Sequence, residues 1–309
     1  MSALQALCRY RQKAVYPDKR KKGLANKVRF GNNHYRDIPG DGCNQIIGFA
    51  LAVLFLAGNK YIANDGGKRI FVTNTTKQRR KVMIGLLAAM EVELESITAK
   101  MEDVKVMFVV DKKFYHGKIN GYDAVAVLSG VGKVNAAIAT TLLLQNFDVT
   151  DVISVGIAGG ISAQPMDVVV SDKVVQYDFD LTAFGYPLGK LDERISPYFE
   201  CDADLVRICS FIASQKGNAH VGTGASGDAF VTDPEKALFL RREFGAVFCD
   251  MESAAIAQAC EKFDVPFVSV RVISDEVGVN KIEDYEAFKK SAAKLSAEVI
   301  EEYCKRKQA

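Results

Sequence analysis

The chain has 309 residues, 49% hydrophobic and 25% charged, with 40 basic and 38 acidic side chains for a net charge of +2. This is ordinary globular composition, and it excludes collagen-like, low-complexity and disulfide-scaffold classes. The balance hides a split: residues 1–81 carry 17 Lys or Arg against four acids, a net of +13, leaving 23 basic and 34 acidic groups, a net of −11, for residues 82–309. An acidic body lacks the basic footprint that nucleic acid requires.

Residues 1–82 read as a basic extension to which no chemistry is assigned. Lys19-Arg20-Lys21-Lys22 and Lys77-Gln78-Arg79-Arg80-Lys81 are solvated charge runs. Ile46–Gly58 is thirteen residues without a charge, short of the roughly 20 a helix needs to cross a bilayer. A membrane tether through 46–58 is therefore the weaker reading. The stronger readings are a buried helix, or sequence that does not belong to the enzyme.

From Val82 onward strands and helices alternate. Val82–Ala88 reads as a strand and Met90–Met101 as a helix. Val104–Val110 and Tyr122–Leu128 are strand-like, with an Asn120-Gly121 turn between them. Lys133–Asn146 is apolar at helical spacing through Val134, Ile138 and Leu142. Asp151–Val155 is a β-branched strand ending in a predicted loop, Gly156-Ile157-Ala158-Gly159-Gly160, where backbone can approach a ligand closely. Val168–Tyr177 and His220–Thr223 are further strands, and Ala203–Lys216 a helix. Pro234–Phe244 is a helix with Asp233 as its cap. Glu252–Phe263 is helical, Val265–Ile273 is a strand, and Phe288, Ala292, Leu295, Val299 and Tyr303 mark one face of a closing helix over about 283–305. The alternation predicts one α/β domain over 83–309 with a mixed, mostly parallel sheet.

In such folds ligands bind at the carboxyl ends of the strands. That places Glu91 and Glu93, Ser129–Gly132, Gly156–Gly160, Ser226–Phe230 and Ser274-Asp275 on one rim. Carboxylates are costly there unless they are solvated or used, so several converging ones suggest acid/base chemistry. Gly222–Gly227 fits GxGxxG, but the next helix opens only at Pro234, so a pyrophosphate has no helix N-terminus to rest on. GxxxxGK[ST] is absent. The seven cysteines are an odd number without a CxxC pair, and none of His34, His116 and His220 stands beside another candidate ligand. No metal site is expected, and the thiols read as reduced, in a cytoplasmic protein.

Seven motifs in register carry a family resemblance. They are Ile84–Glu93, Ser129-Gly130-Val131-Gly132-Lys133-Val134, Gly156–Gly160, Thr182-Ala183-Phe184-Gly185-Tyr186, Ser226–Phe230, Asp250-Met251-Glu252-Ser253-Ala254-Ala255-Ile256-Ala257 and Arg271–Asp275. Through them residues 83–307 resemble the 5′-methylthioadenosine/S-adenosylhomocysteine nucleosidases of the purine nucleoside phosphorylase superfamily. The resemblance implies a three-layer α/β/α domain and hydrolysis of the bond between adenine and ribose through an oxocarbenium-like sugar. It makes Asp275 the acid that protonates adenine N7 and Glu93 the carboxylate that deprotonates water. It makes Glu252 the partner of the ribose hydroxyls, Phe230 the ring that stacks on adenine, Val231 the backbone that reads its edge, and Met251 a contact of the ribose. Ser129, Gly159, Arg271 and Ser274 line the same site, with a structural ion pair as the other reading of Arg271. Phe184 and Tyr186 match a loop that reaches a neighbouring subunit, which implies a homodimer.

The implied ligands are small adenine thionucleosides, with no cofactor. Two other readings are a phosphorolytic nucleoside phosphorylase and a non-catalytic nucleoside-binding protein. Against the first, no Arg stands at Ala88–Glu91 or Gly156–Gly160 to hold phosphate, and Glu93 would repel a dianion. Against the second, all three carboxylates are intact. Ile157 stands where the family often has Ser, and Val92 where an acid is common. Relatives start near the first strand, so Met83 is a candidate for the true start.

Overall fold

The computed structural model describes residues 82–191, 196–277 and 281–308 and, before them, four short strands. It divides into two compact units, Met1–Arg79 and Arg80–Ala309. In the first, β1 (Lys27–Arg29) pairs antiparallel with β2 (Tyr35–Asp37), and β3 (Tyr61–Asp65) with β4 (Lys68–Val72). The apolar run 46–58 and the charge runs at 19–22 and 77–81 lie outside the described residues. Among the described residues no helix is long and apolar enough to cross a membrane.

The second unit is a three-layer α/β/α domain. Its strands are β5 (Met83–Ala88), β6 (Glu102–Val109), β7 (Lys112–Ile119), β8 (Tyr122–Leu128), β9 (Asp151–Gly160), β10 (Val168–Gln176), β11 (Tyr198–Glu200), β12 (Ala219–Ser226), β13 (Ala246–Asp250) and β14 (Phe267–Glu276). The helices are α1 (Glu91–Thr98), α2 (Lys133–Asn146), α3 (Ala203–Ser214), α4 (Pro234–Phe244), α5 (Ser253–Phe263) and α6 (Lys281–Gln308). All ten strands form one sheet in the order β11-β10-β12-β13-β9-β5-β8-β7-β6, and β14 pairs with both β10 and β9. The pairings β9–β14–β10–β12–β13–β9 therefore close a five-stranded ring, from which β5, β8, β7 and β6 run out as an open wing. The sheet is mixed, as expected: β5–β8, β5–β9, β9–β14, β10–β12 and β12–β13 are parallel, and the rest antiparallel.

Strand alternation divides the core. In β5 the side chains of Ile84, Leu86 and Ala88 enter one layer, with Leu94 and Ile97 of α1, Leu205 and Ile212 of α3, and Val299 and Tyr303 of α6. Met83 and Leu87 enter the other, with Ala136, Ala139 and Leu143 of α2 and Ala254 and Ile256 of α5. Covered on both faces, β5 is apolar throughout rather than alternating. Asp233 caps α4 by accepting from Glu235 N at 3.0 Å, as its sequence predicts.

The structure departs from the sequence reading at four places. The strand expected over 104–110 is β6, but an unannounced strand, β7, follows it, and Asn120-Gly121 joins β7 to β8. Both turn residues have positive φ, 49° and 78°, the geometry of a type I′ hairpin. The short strands β11 and β13 carry no alternation long enough to register in the sequence. Gly156–Gly160 is not a loop but the last half of β9, paired to β14 throughout. In α2 the sheet-facing residues are Ala136, Ala139, Thr140 and Leu143, whereas Val134 and Ile138 face outward.

Candidate active site

Glu93 lies one turn into α1, directly after the end of β5. Its Oε2 accepts from Ala89 N and Met90 N, both at 2.9 Å, and its Oε1 from Ile157 N of β9, also at 2.9 Å. Three of roughly four lone-pair directions of the carboxylate are thus occupied by backbone donors. The approach works because position 156 is glycine: a Cβ there would lie 2.3 Å from Glu93 Oε1. Burial pushes the Glu93 carboxyl above the ordinary carboxylate range, against the opposite pull of Arg271 and of the three N–H groups.

Glu252 caps the start of α5. Its Oε1 accepts from Gly132 N at 2.9 Å, and Oε2 from Met251 N at 3.3 Å. Burial, aided by the neighbouring charge of Asp250, pushes its carboxyl up to about 7, while the Gly132 N–H and Arg271 act against the shift. The charge of Glu93 also acts on Glu252, which places the two carboxylates in one electrostatic neighbourhood.

Beneath them lies a buried ion pair. Arg271 Nη2 and Nε reach Asp250 Oδ2 at 2.9 and 3.0 Å, and Nη2 also donates to Ser154 Oγ and Ser253 Oγ at 2.8 and 2.9 Å. Ser226 Oγ donates to Asp250 Oδ1 at 2.5 Å, and Ser253 Oγ donates to Oδ2. The network joins β9, β12, β13 and β14, so it fixes the ring strands to one another. Removing either charged partner leaves a buried charge uncompensated, a loss of about 3–5 kcal/mol in comparable pairs.

Asp275 ends this row of acids. It is 1% exposed, on β14 just past a register shift against β9, and its Oδ1 accepts from Ser274 Oγ at 2.6 Å. It borders a small cleft lined by Gly159, Ala229, Phe230, Val231, Cys249, Asp250 and Met251. Phe230 is half exposed, and its ring meets Tyr285 of α6 edge-to-face at 6.0 Å. The Tyr285 hydroxyl donates to Met90 Sδ at 3.1 Å. Burial is the main cause that pushes the Tyr285 hydroxyl up, with the charges of Glu93 and Asp275 adding to it. Among the described residues no group of three or more His, Cys, Asp or Glu is arranged to hold a metal ion.

Comparison with known proteins decides the family. Residues 83–305 match the model of the Phosphorylase superfamily. A 5′-methylthioadenosine/S-adenosylhomocysteine nucleosidase of Marinomonas sp. is 41% identical over 229 residues, covering 72% of this chain and 98% of that protein. The chain belongs to this nucleosidase family. Among solved structures, the nucleosidase of Neisseria meningitidis in complex with methylthio-immucillin-A superposes with a TM-score of 0.70 at 34% identity, covering 72% of this chain and 99% of that one. Futalosine hydrolase of Helicobacter pylori superposes with a TM-score of 0.69 at 30% identity, covering 74% and 99%.

The structure brings Gly159, Phe230, Val231, Met251 and Asp275 into one cleft, with Ser274 holding Asp275 and with Glu93 and Glu252 close by. The remaining expected site residues of this nucleosidase family member lie apart from the cleft lining. The Ser129 hydroxyl donates to backbone, Ala88 O at 3.2 Å and Gly130 O at 2.9 Å. The Arg271 guanidinium pairs with the cleft residue Asp250 but does not itself line the cleft. Phe184 ends a short 3₁₀ turn and Tyr186 follows it; both stand exposed, and neither lines the cleft. Sequence reasoning missed Asp250, Cys249 and Tyr285. Asp250 had a usable signal, since an arginine inside a strand demands a buried carboxylate partner. Tyr285 had none, being ten residues past Asp275 on a helix whose docking the sequence does not state.

Proposed function

We propose that this protein hydrolyses the N-glycosidic bond of 5′-methylthioadenosine and S-adenosylhomocysteine, releasing adenine and the thioribose product. The observation that carries hydrolysis over phosphorolysis is the occupant of the donor cluster beside the cleft. The N–H groups of Ala89, Met90 and Ile157 converge as an anion nest would, and the protein's own Glu93 carboxylate fills it. A phosphate dianion would lose those donors and meet a negative charge instead.

In this reading the backbone donors fix Glu93 so that its remaining lone-pair direction accepts a proton from the attacking water. Asp275, oriented by Ser274, delivers a proton to adenine N7 and makes the base a neutral leaving group. Glu252 binds the ribose hydroxyls, and its charge favours the developing sugar cation. Phe230 stacks on the base, Val231 reads its polar edge, and Met251 packs on the ribose. Arg271 and Ser129 act from behind, the first as counter-charge to Asp250, Glu93 and Glu252, the second by tying the end of β8 to β5. The activity is assigned to residues 83–309, and a chain shortened to Met83–Ala309 is expected to match the full chain in rate.

The active form is a homodimer. Val134 and Phe184, 69% and 78% exposed, together with Ile138 and Val131, are apolar surface that a second copy would cover. A reducing compartment such as the cytoplasm suits the free thiols of Cys201, Cys209, Cys249, Cys260 and Cys304. The deciding experiment is cleavage of methylthioadenosine with and without phosphate. Equal rates with free methylthioribose as product support hydrolysis; a phosphate-dependent rate with the sugar 1-phosphate as product overturns it, and so does binding without turnover.

A further inference from the structure

Lys133 opens α2, next to Gly132, whose N–H holds Glu252. Its Nζ donates to Asp178 Oδ1 at 2.5 Å and to Gln176 Oε1 at 3.1 Å, just past the end of β10 and at its last residue. Asp178 Oδ2 accepts from Asp228 N at 2.9 Å, and Asp228 Oδ1 accepts from Lys133 N at 2.7 Å. The contacts form a closed ring, Lys133–Asp178–Asp228–Lys133, linking the turn before α2, the end of β10 and the segment that carries Phe230 and Val231. A second branch runs from Gln176 Nε2 to Gln258 Oε1 at 2.7 Å, on the helix that Glu252 caps.

Few side chains satisfy the geometry. Gly132 has φ 97°, which favours glycine, and a Cβ there would press to 3.1 Å against Asp228 Oδ1. The lysine also supplies positive charge to Asp178, whose other carboxylate oxygen accepts from Asp228 N. It is largely buried, with its side chain 16% exposed, so solvent screens the pair less than on an open surface.

We propose that Lys133 is a positioning residue that couples base and sugar recognition: through Asp178 and Asp228 it seats the Phe230 segment, and through Gly132 it sets the donor that orients Glu252. The proposal rests on the assignment of Phe230 to the base and Glu252 to the ribose. If Lys133 acts this way, its loss weakens adenine and nucleoside together while the acid and base keep working.

The test is steady-state kinetics of the full chain on methylthioadenosine, with product inhibition by adenine and thermal melting. Lys133→Met is expected to raise KM and the adenine inhibition constant about tenfold each, the scale of one lost charge-assisted contact, with kcat within about threefold. Lys133→Arg is expected to recover most of that loss. Asp178→Asn should weaken binding likewise, and the Lys133→Met/Asp178→Asn double variant should be no worse than the poorer single one, because the pair acts as a unit. A KM and an adenine constant within twofold of the parent in Lys133→Met overturn the proposal. So does a fall in melting temperature with no split between KM and kcat, or Arg failing where Met fails. If Lys133→Met does not fold, Asp228→Ala, which removes the acceptor of Lys133 N, is held to the same criteria. Glu252→Gln separates the two levels: normal kinetics in that variant refute the site assignment itself, whereas impaired kinetics there beside a normal Lys133→Met refute only the ring.

Discussion

Gly156→Ala tests the geometry of the base without touching any ionisable group. The backbone at Gly156 has ordinary dihedrals, so alanine brings no conformational penalty. The added methyl would lie 2.3 Å from Glu93 Oε1 and 2.8 Å from its carboxyl carbon. Ordinary contact starts near roughly 3.5 Å, so one of the two must retreat by about 1 Å. Gly156 sits in β9, paired to Arg271 of β14, while the carboxylate is the free end of a side chain, so the carboxylate gives way. It then loses the Ile157 N–H and its aim at the water. A misplacement of about 1 Å costs on the order of a hundredfold in rate, and an orphaned buried N–H costs about 1–3 kcal/mol of stability. The assay is single-turnover release of adenine from methylthioadenosine, beside thermal unfolding. In a Glu93→Gln background, Gly156→Ala should slow the reaction no further, because the base is already absent. A Gly156→Ala enzyme with kcat within threefold of the parent, or full additivity with Glu93→Gln, would refute the idea that this glycine exists to admit the carboxylate.

Three further outcomes are expected. Glu93→Gln and Asp275→Asn should each lower kcat by roughly 10²–10⁴ while an adenine nucleoside analogue still binds by calorimetry, and near-normal turnover in either variant removes that residue from the chemistry. The folded-state carboxyl of Glu252 titrates near 7, above its ordinary value of 4.5, so its contribution to stability is fully present below about 4.5 and is lost as pH rises through about 7. Glu252→Gln should therefore match the parent in melting at about pH 4 and exceed it at pH 8 by up to about 3 kcal/mol, and a less stable variant at pH 8 contradicts the buried-charge argument. Val134→Glu with Ile138→Glu should convert a dimer to a monomer by light scattering at micromolar concentration, and an unchanged mass would place the interface elsewhere.

Much of the fold was legible because burial and periodicity agree. The uniformly apolar β5 and the alternating face of α6 announce their neighbours, and Asp233-Pro234 announces where α4 begins. What the residues could not state is which apolar stripe faces inward. In α2 the large side chains Val134 and Ile138 look outward, while Ala136 and Ala139 are buried beside Leu143 and against Ala254, Ala255 and Ala257 of α5. The glycines misled for a related reason. Gly156, Gly159 and Gly160 suggest a loop, yet they are strand residues whose missing side chains make room for Glu93, for Val277 and Cys249, and for Ala163 O. The three acids were legible as residues through motif order, but their charge states were not, since these depend on neighbours brought in from β9, β13 and β14.

Those neighbours suit three buried carboxylates to the different offices proposed for them. Glu93 receives three backbone N–H bonds, which favour its anion, so it can act as a base despite burial. Glu252 receives two backbone N–H groups, one of them long, and stands beside a second anion, Asp250, so its charge is poised near neutrality. Such a group gains most from a cation appearing beside it, which is what the sugar becomes at the transition state. Asp275 is bonded at Oδ1 by the Ser274 hydroxyl and shares its cleft with Val231, Met251 and Phe230. Arg271 serves the first two at once: its pairing with Asp250 leaves part of its field to Glu93 and Glu252, so one buried cation offsets several anions without reaching into the cleft. The number of donors facing each carboxylate governs how readily it carries charge, while its place against the substrate governs what it can do there.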